Sequence, residues 1–122
     1  MGYSIIIVTS VPKSSLFGSS DLSGLELVDS FVDFAFCKER LSYYGAQLIA
    51  DNYTSVSGIQ ARSVTYATGG YYNLVINTAD DSNFYQISYV SRESKYQEEL
   101  PEVLSIISSF QIKGTTDTGN LI

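Results

Sequence analysis

The chain has 122 residues, a net charge of −6, no histidine, no tryptophan, ten tyrosines and one cysteine. That length suits one domain burying roughly two-thirds of the surface its unfolded form exposes, and the acidic balance opposes phosphate backbones and anionic lipid, so nucleic acid is not an expected partner. The lone Cys37 excludes an internal disulfide, and the longest apolar run, residues 5–8, is far too short to span a bilayer.

In chain order, residues 3–11 are rich in β-branched side chains and predict a strand that Pro12 ends. Residues 13–23 are rich in Ser and Gly, with one apolar pair, Leu16 and Phe17, and predict a loop. Between 24 and 42 the apolar residues Leu27, Val28, Phe31, Val32, Phe34, Ala35 and Leu41 sweep around most of a helical circumference, predicting a single well-buried helix. Glu26, Asp29, Asp33, Cys37 and Arg40 share its remaining stripe, and Gly45 suits the left-handed residue that stops it.

Two β-rich runs follow, 46–56 and 59–67, joined by a tight turn at Ser57-Gly58. Val64 and Tyr66 lie on one side and Ile59 and Ala61 on the other, so either both faces are covered or a bulge shifts the register. Gly69-Gly70 turns the chain into 71–79, where Leu74, Val75 and Ile76 are consecutive and apolar, the mark of a central strand covered on both faces. Asp80-Asp81-Ser82-Asn83 closes a hairpin onto 84–91. Tyr96, Leu100, Val103, Leu104, Ile107 and Phe110 then recur at helical spacing. Ser94 and Gln97 suit a capping box, but Pro101 opposes a helix interior, which predicts one turn and then a helix starting at Pro101. The expected architecture is an α+β domain over 1–113, an antiparallel sheet of about five strands with helices on both faces, in the order β-α-β-β-β-β-α. A flexible tail over 114–122 has too few apolar groups to dock firmly.

The chemistry available is sparse. Without histidine the commonest general base near neutral pH is missing, along with Ser-His and Cys-His pairs and most transition-metal sites. Cys37 among Glu26, Asp29 and Asp33 is in an acidic setting unsuited to nucleophilic activation. Asp80 with Asp81, or Asp29 with Asp33, offer the hard oxygens calcium takes, yet two acids fall short of the six or more ligands it needs. No enzyme activity and no cofactor are expected. Tyrosine is the unusual feature. Tyr43-Tyr44 and Tyr71-Tyr72 place neighbours on different faces, and an exposed patch drawn from Tyr43, Tyr44, Tyr71, Tyr72, Tyr85 and Tyr89 is the candidate recognition surface for a protein or small ligand.

The runs Tyr71-Tyr72-Asn73-Leu74-Val75-Ile76, Phe84-Tyr85-Gln86-Ile87-Ser88-Tyr89 and Leu104-Ser105-Ile106-Ile107-Ser108-Ser109-Phe110 resemble the closing half of PsbP-like domains, a fold shared with the Mog-type Ran-interacting proteins. Val56-Ser57-Gly58-Ile59-Gln60-Ala61 matches that family's turn before its middle strands, and the likeness extends over roughly residues 3–113. The resemblance implies an α/β/α sandwich and a non-enzymatic accessory domain, commonly exported and sometimes lipid-anchored in bacteria. Plant and cyanobacterial relatives assist the oxygen-evolving complex of photosystem II, and Mog-type relatives bind a GTPase. No residue-level motif of either branch is carried by this chain. Family members usually open with an extra hairpin containing Pro and Trp, which this chain lacks. A sheet edge left bare in this way invites a homodimer. The strand, helix and four-strand order is also that of cystatin-type protease inhibitors, with Thr54-Ser55-Val56-Ser57-Gly58 where their Gln-x-Val-x-Gly hairpin stands, although the Gln and the later Pro-Trp are missing.

Overall fold

The computed structural model describes residues 4–15 and 24–111. The expected tail over 114–122 and most of the expected loop over 13–23 lie outside the described residues. The elements are β1 (Ile5–Pro12), a 3-10 turn (Lys13–Ser15), α1 (Gly24–Ala35), α2 (Lys38–Tyr43), β2 (Gln47–Val56), β3 (Ile59–Thr68), β4 (Tyr71–Ala79), β5 (Asn83–Arg92) and α3 (Glu93–Ser108). The strands make one five-stranded antiparallel sheet in the order β1-β5-β4-β3-β2, so the fold is α+β with β4 in the middle.

Local chemistry explains the connections. Ser57 and Gly58 both take positive φ, as do Gly69 and Gly70, which gives the two-residue turns whose twist matches paired strands. At the β4–β5 hairpin the Asp80 carboxylate accepts the backbone N–H of Ser82 at 2.9 Å and of Asn83 at 2.8 Å, as a short acidic side chain at a turn can. The imperfect alternation of β2 reflects a bulge, since its register against β3 shifts between Leu48 and Ala50.

Leu74, Val75 and Ile76 are each 4% exposed, so the central strand is covered on both sides, as its unbroken apolar run predicted. Successive strand residues point to opposite sides, and the core divides accordingly. Leu74, Ile76, Ile87 and Tyr89 pack with Tyr96, Val103 and Ile107 of α3. Val64, Ala79 and Phe84 pack with Leu27, Val28 and Val32 of α1. Each buried Val, Leu, Ile or Phe side chain among these contributes about 1.5–3 kcal/mol.

Two expectations about helices are corrected. The single helix over 24–42 is two, α1 and α2, with Cys37 extended between them (φ −67°, ψ 157°). Leu41 lies nine residues beyond Val32, two and a half turns along an unbroken helix, and so would face the opposite way. Breaking the helix re-aims the chain so that Leu41 is also buried, while the Phe36 ring settles 6.1 Å from Phe31 and 6.0 Å from Tyr66. At the other end, α3 runs through Pro101 instead of starting there, and Ser94 lies inside the helix while the N-cap, Arg92, makes no side-chain capping bond. Tyr96 anchors the turn before the proline and Val103 and Ile107 the turns after it. Burial on both sides of the defect offsets the roughly 3 kcal/mol a helical proline costs.

Candidate functional site

The six tyrosines do not share one surface. Tyr89 is fully buried (0% exposed), its ring stacked 5.5 Å from Tyr96 and its hydroxyl donating to Glu99 Oε1 at 2.9 Å. Tyr72 packs 5.0 Å from the same Tyr96. The Tyr85 hydroxyl donates to Asp80 Oδ2 at 2.7 Å. Tyr71, at the start of β4, lies under the Arg92 guanidinium at 5.5 Å.

Tyr43 and Tyr44 are different. They end α2, where Gly45 (φ 78°) turns the chain back and the Ala46 N–H bonds the Leu41 carbonyl at 2.8 Å. Tyr43 is 82% and Tyr44 67% exposed, and their rings meet edge to face at 5.0 Å. Phe34, near the end of α1, is also exposed, and the Arg40 guanidinium lies 4.2 Å above its ring. Tyr43, Tyr44, Arg40, Glu39 and Cys37 line a shallow concavity of about 380 Å³. The Cys37 thiol points back to the Phe34 carbonyl at 4.0 Å. Aromatic rings and a stacked guanidinium suit recognition, because they offer large rigid contact area with polar tips and little entropy to lose.

The polar groups that do converge are engaged with one another. Arg62 of β3 was not singled out in the sequence, yet it bonds three carboxylates: Asp51 through Nε (2.8 Å) and Nη2 (2.9 Å), Asp29 through Nη1 (2.8 Å) and Asp33 through Nη2 (2.9 Å). Tyr53 adds a hydroxyl donation to Asp29 at 3.0 Å, which raises its own pKa. The hydrogen bond to Asp51, against the cost of burial, raises the Arg62 pKa still further, so its charge is fixed. Asp29 and Asp33, the acids one helical turn apart, therefore hold a guanidinium. Arg62 is the one charged residue of β3, Ile59–Thr68, and that was the available signal, since a charge buried within a sheet requires partners.

Asp80 is similarly occupied. Burial pushes its carboxyl up, but the bonds from Tyr85 and from the Asn83 and Ser82 N–H groups outweigh this and leave its pKa lowered. Glu99 gathers the hydroxyls of Ser4, Tyr89 and Ser91 on one oxygen, and the bonds from Ser4 and then Tyr89 lower its pKa. Among the described residues no group of three or more His, Cys, Asp or Glu side chains is arranged to hold a metal ion. In the hairpin compared with the cystatin motif, Val56 is buried in the core at 2% exposure, while Thr54, Ser55, Ser57 and Gly58 are exposed.

The chain matches no family model and no curated protein sequence. Among the described residues no helix is long and apolar enough to cross a membrane.

Proposed function

We propose that this chain is a non-enzymatic binding domain of PsbP-like type, an α/β/α sandwich that recognises a partner protein through the corner between α1 and α2. The architecture draws support from the division of the core into two clusters that use alternate residues of the same strands, one with α1 and the other with α3. An extracytoplasmic accessory role belongs to the same reading and rests on the family resemblance.

The observation that carries the function is the exposure of Tyr43 and Tyr44 beside the Arg40–Phe34 stack. Tyrosine and arginine are the side chains that most often dominate association energies, and here they line one exposed concavity together. A partner presenting an apolar ridge flanked by a carboxylate would cover the rings and pair with Arg40. The test is affinity capture from the source cells with the wild-type chain and with a Tyr43→Ser/Tyr44→Ser double variant, both checked for fold by circular dichroism. A protein retained by the wild type and lost with the folded variant is expected; equal retention by both would overturn the assignment of this surface.

A further inference from the structure

We propose that the outer edge of β1 pairs with β1 of a second copy of this chain, joining two sheets about a two-fold axis. Among the described residues, β1 ends the strand order with β5 on one side and no strand on the other. An edge strand presents unpaired N–H and C=O groups, and protein edges are ordinarily blunted by charge, proline or bulges. The opposite edge follows that rule, because β2 carries the bulge between Leu48 and Ala50 and the Arg62-bound Asp51. β1 does not. Its residues Ile5 to Val11 are uncharged, it pairs with β5 without a register shift, and its proline stands at the end. Ile5 and Ile7 on one face and Val8 on the other are 43%, 52% and 55% exposed.

Charge and symmetry select a second copy as the occupant. In a chain of net charge −6, two copies repel over most of their surface, and β1 is a stretch along which they can meet without opposing carboxylates. Antiparallel pairing about a two-fold is self-complementary, with directly opposite residues on the same face. Centred on Ile7, it sets Ile7 against its counterpart, Ile6 against Val8 and Ile5 against Thr9. Shifted to centre on Ile6, it sets Ile5 against Ile7. In both registers the exposed isoleucines are covered and no charges oppose. Eight residues make an edge about 27 Å long. Such an edge buries less than the ~800 Å² per partner of a standard interface. The dimer is therefore reversible, and it closes at two because the bulged β2 edge does not continue the sheet.

Sedimentation velocity on the full chain from about 1 μM to about 1 mM spans the dissociation constants of such weak pairs. The expected result is a mass rising with concentration from monomer to dimer, at least tenfold weaker association for Ile7→Lys and for Val8→Lys, and no change for Ile49→Lys on the β2 edge. A wild type that stays monomeric throughout, or a dimer that survives both β1 substitutions or is lost only with Ile49→Lys, overturns the proposal. Should Ile7→Lys fail to fold, Val8→Lys and amide exchange of the wild type decide. Protection of β1 amides must grow with protein concentration, and concentration-independent protection overturns the pairing. These readouts do not depend on the α1–α2 corner, so either proposal can fail without the other.

Discussion

Arg62 grips Asp51 with two parallel bonds, Nε to Oδ1 at 2.8 Å and Nη2 to Oδ2 at 2.9 Å, and turns its remaining donors to Asp29 and Asp33 on α1. One guanidinium thus ties an edge strand and a helix to β3. Replacing it with methionine keeps the stem but leaves three carboxylates facing each other. Breaking a buried ion pair costs about 3–5 kcal/mol, but the acids here are 32% to 67% exposed and water screens much of that, so Arg62→Met should cost about 2 kcal/mol. Urea denaturation measures it, and a change below about 0.5 kcal/mol would mean the cluster is only surface decoration.

Glu99 predicts a dependence on pH. Its pKa is lowered in the fold below the ordinary 4.5, so in the window below that value the unfolded chain binds more protons than the folded one. Its contribution is complete above the unfolded value and is lost as pH falls through the folded one. Asp80 acts in the same direction. Glu99→Gln keeps an acceptor for Ser4, Tyr89 and Ser91 but cannot titrate. Thermal melts between about pH 3 and pH 6 should show a shallower acid loss in this variant than in the wild type; parallel curves would refute the role given to Glu99.

Pro101 sits inside α3, where it removes a backbone bond to the turn before it. Alanine restores the donor but loosens the unfolded chain, an opposing effect of about 0.4–1 kcal/mol. Pro101→Ala should therefore stabilise the fold by about 1–2 kcal/mol, read from the urea midpoint. Destabilisation instead would show that the backbone geometry proline imposes at this residue is required for Tyr96 and Val103 to pack together.

The tyrosines should divide by burial. Tyr89→Ala opens a cavity beside Tyr96 and strips a donor from Glu99, costing about 3–5 kcal/mol. Tyr43→Ala and Tyr44→Ala remove rings already in water and should lie within about 0.5 kcal/mol of the wild type. Comparable losses at all three positions would contradict the separation of a core tyrosine from a recognition pair.

Much of the sheet is legible in the sequence. Leu74, Val75 and Ile76 announced a strand covered on both faces, and Ser57-Gly58, Gly69-Gly70 and Asp80 announced turns, because alternation and turn chemistry act over a few neighbouring residues. The break at Cys37 was hidden by the continuity of apolar residues on either side. It follows from where Leu41 and Phe36 must pack. Pro101 misled for a related reason, since the rule against a helical proline is local and the burial that overrides it is not.

By itself the sequence determined which segments are strands and that helical stretches stand before and after the last four of them, because periodicity and turn residues bias the backbone locally, but not that the first stretch breaks at Cys37. Only the tertiary structure decided which acids surround Arg62, which tyrosines remain in water and which strand forms an open edge. Arg62 and Asp29 are 33 residues apart in the chain, and their meeting depends on how a helix settles over a sheet whose register is set by still other residues. Two identical tyrosines, such as Tyr44 and Tyr89, therefore receive opposite surroundings, one in water and one in the core, from packing that neither of them specifies alone.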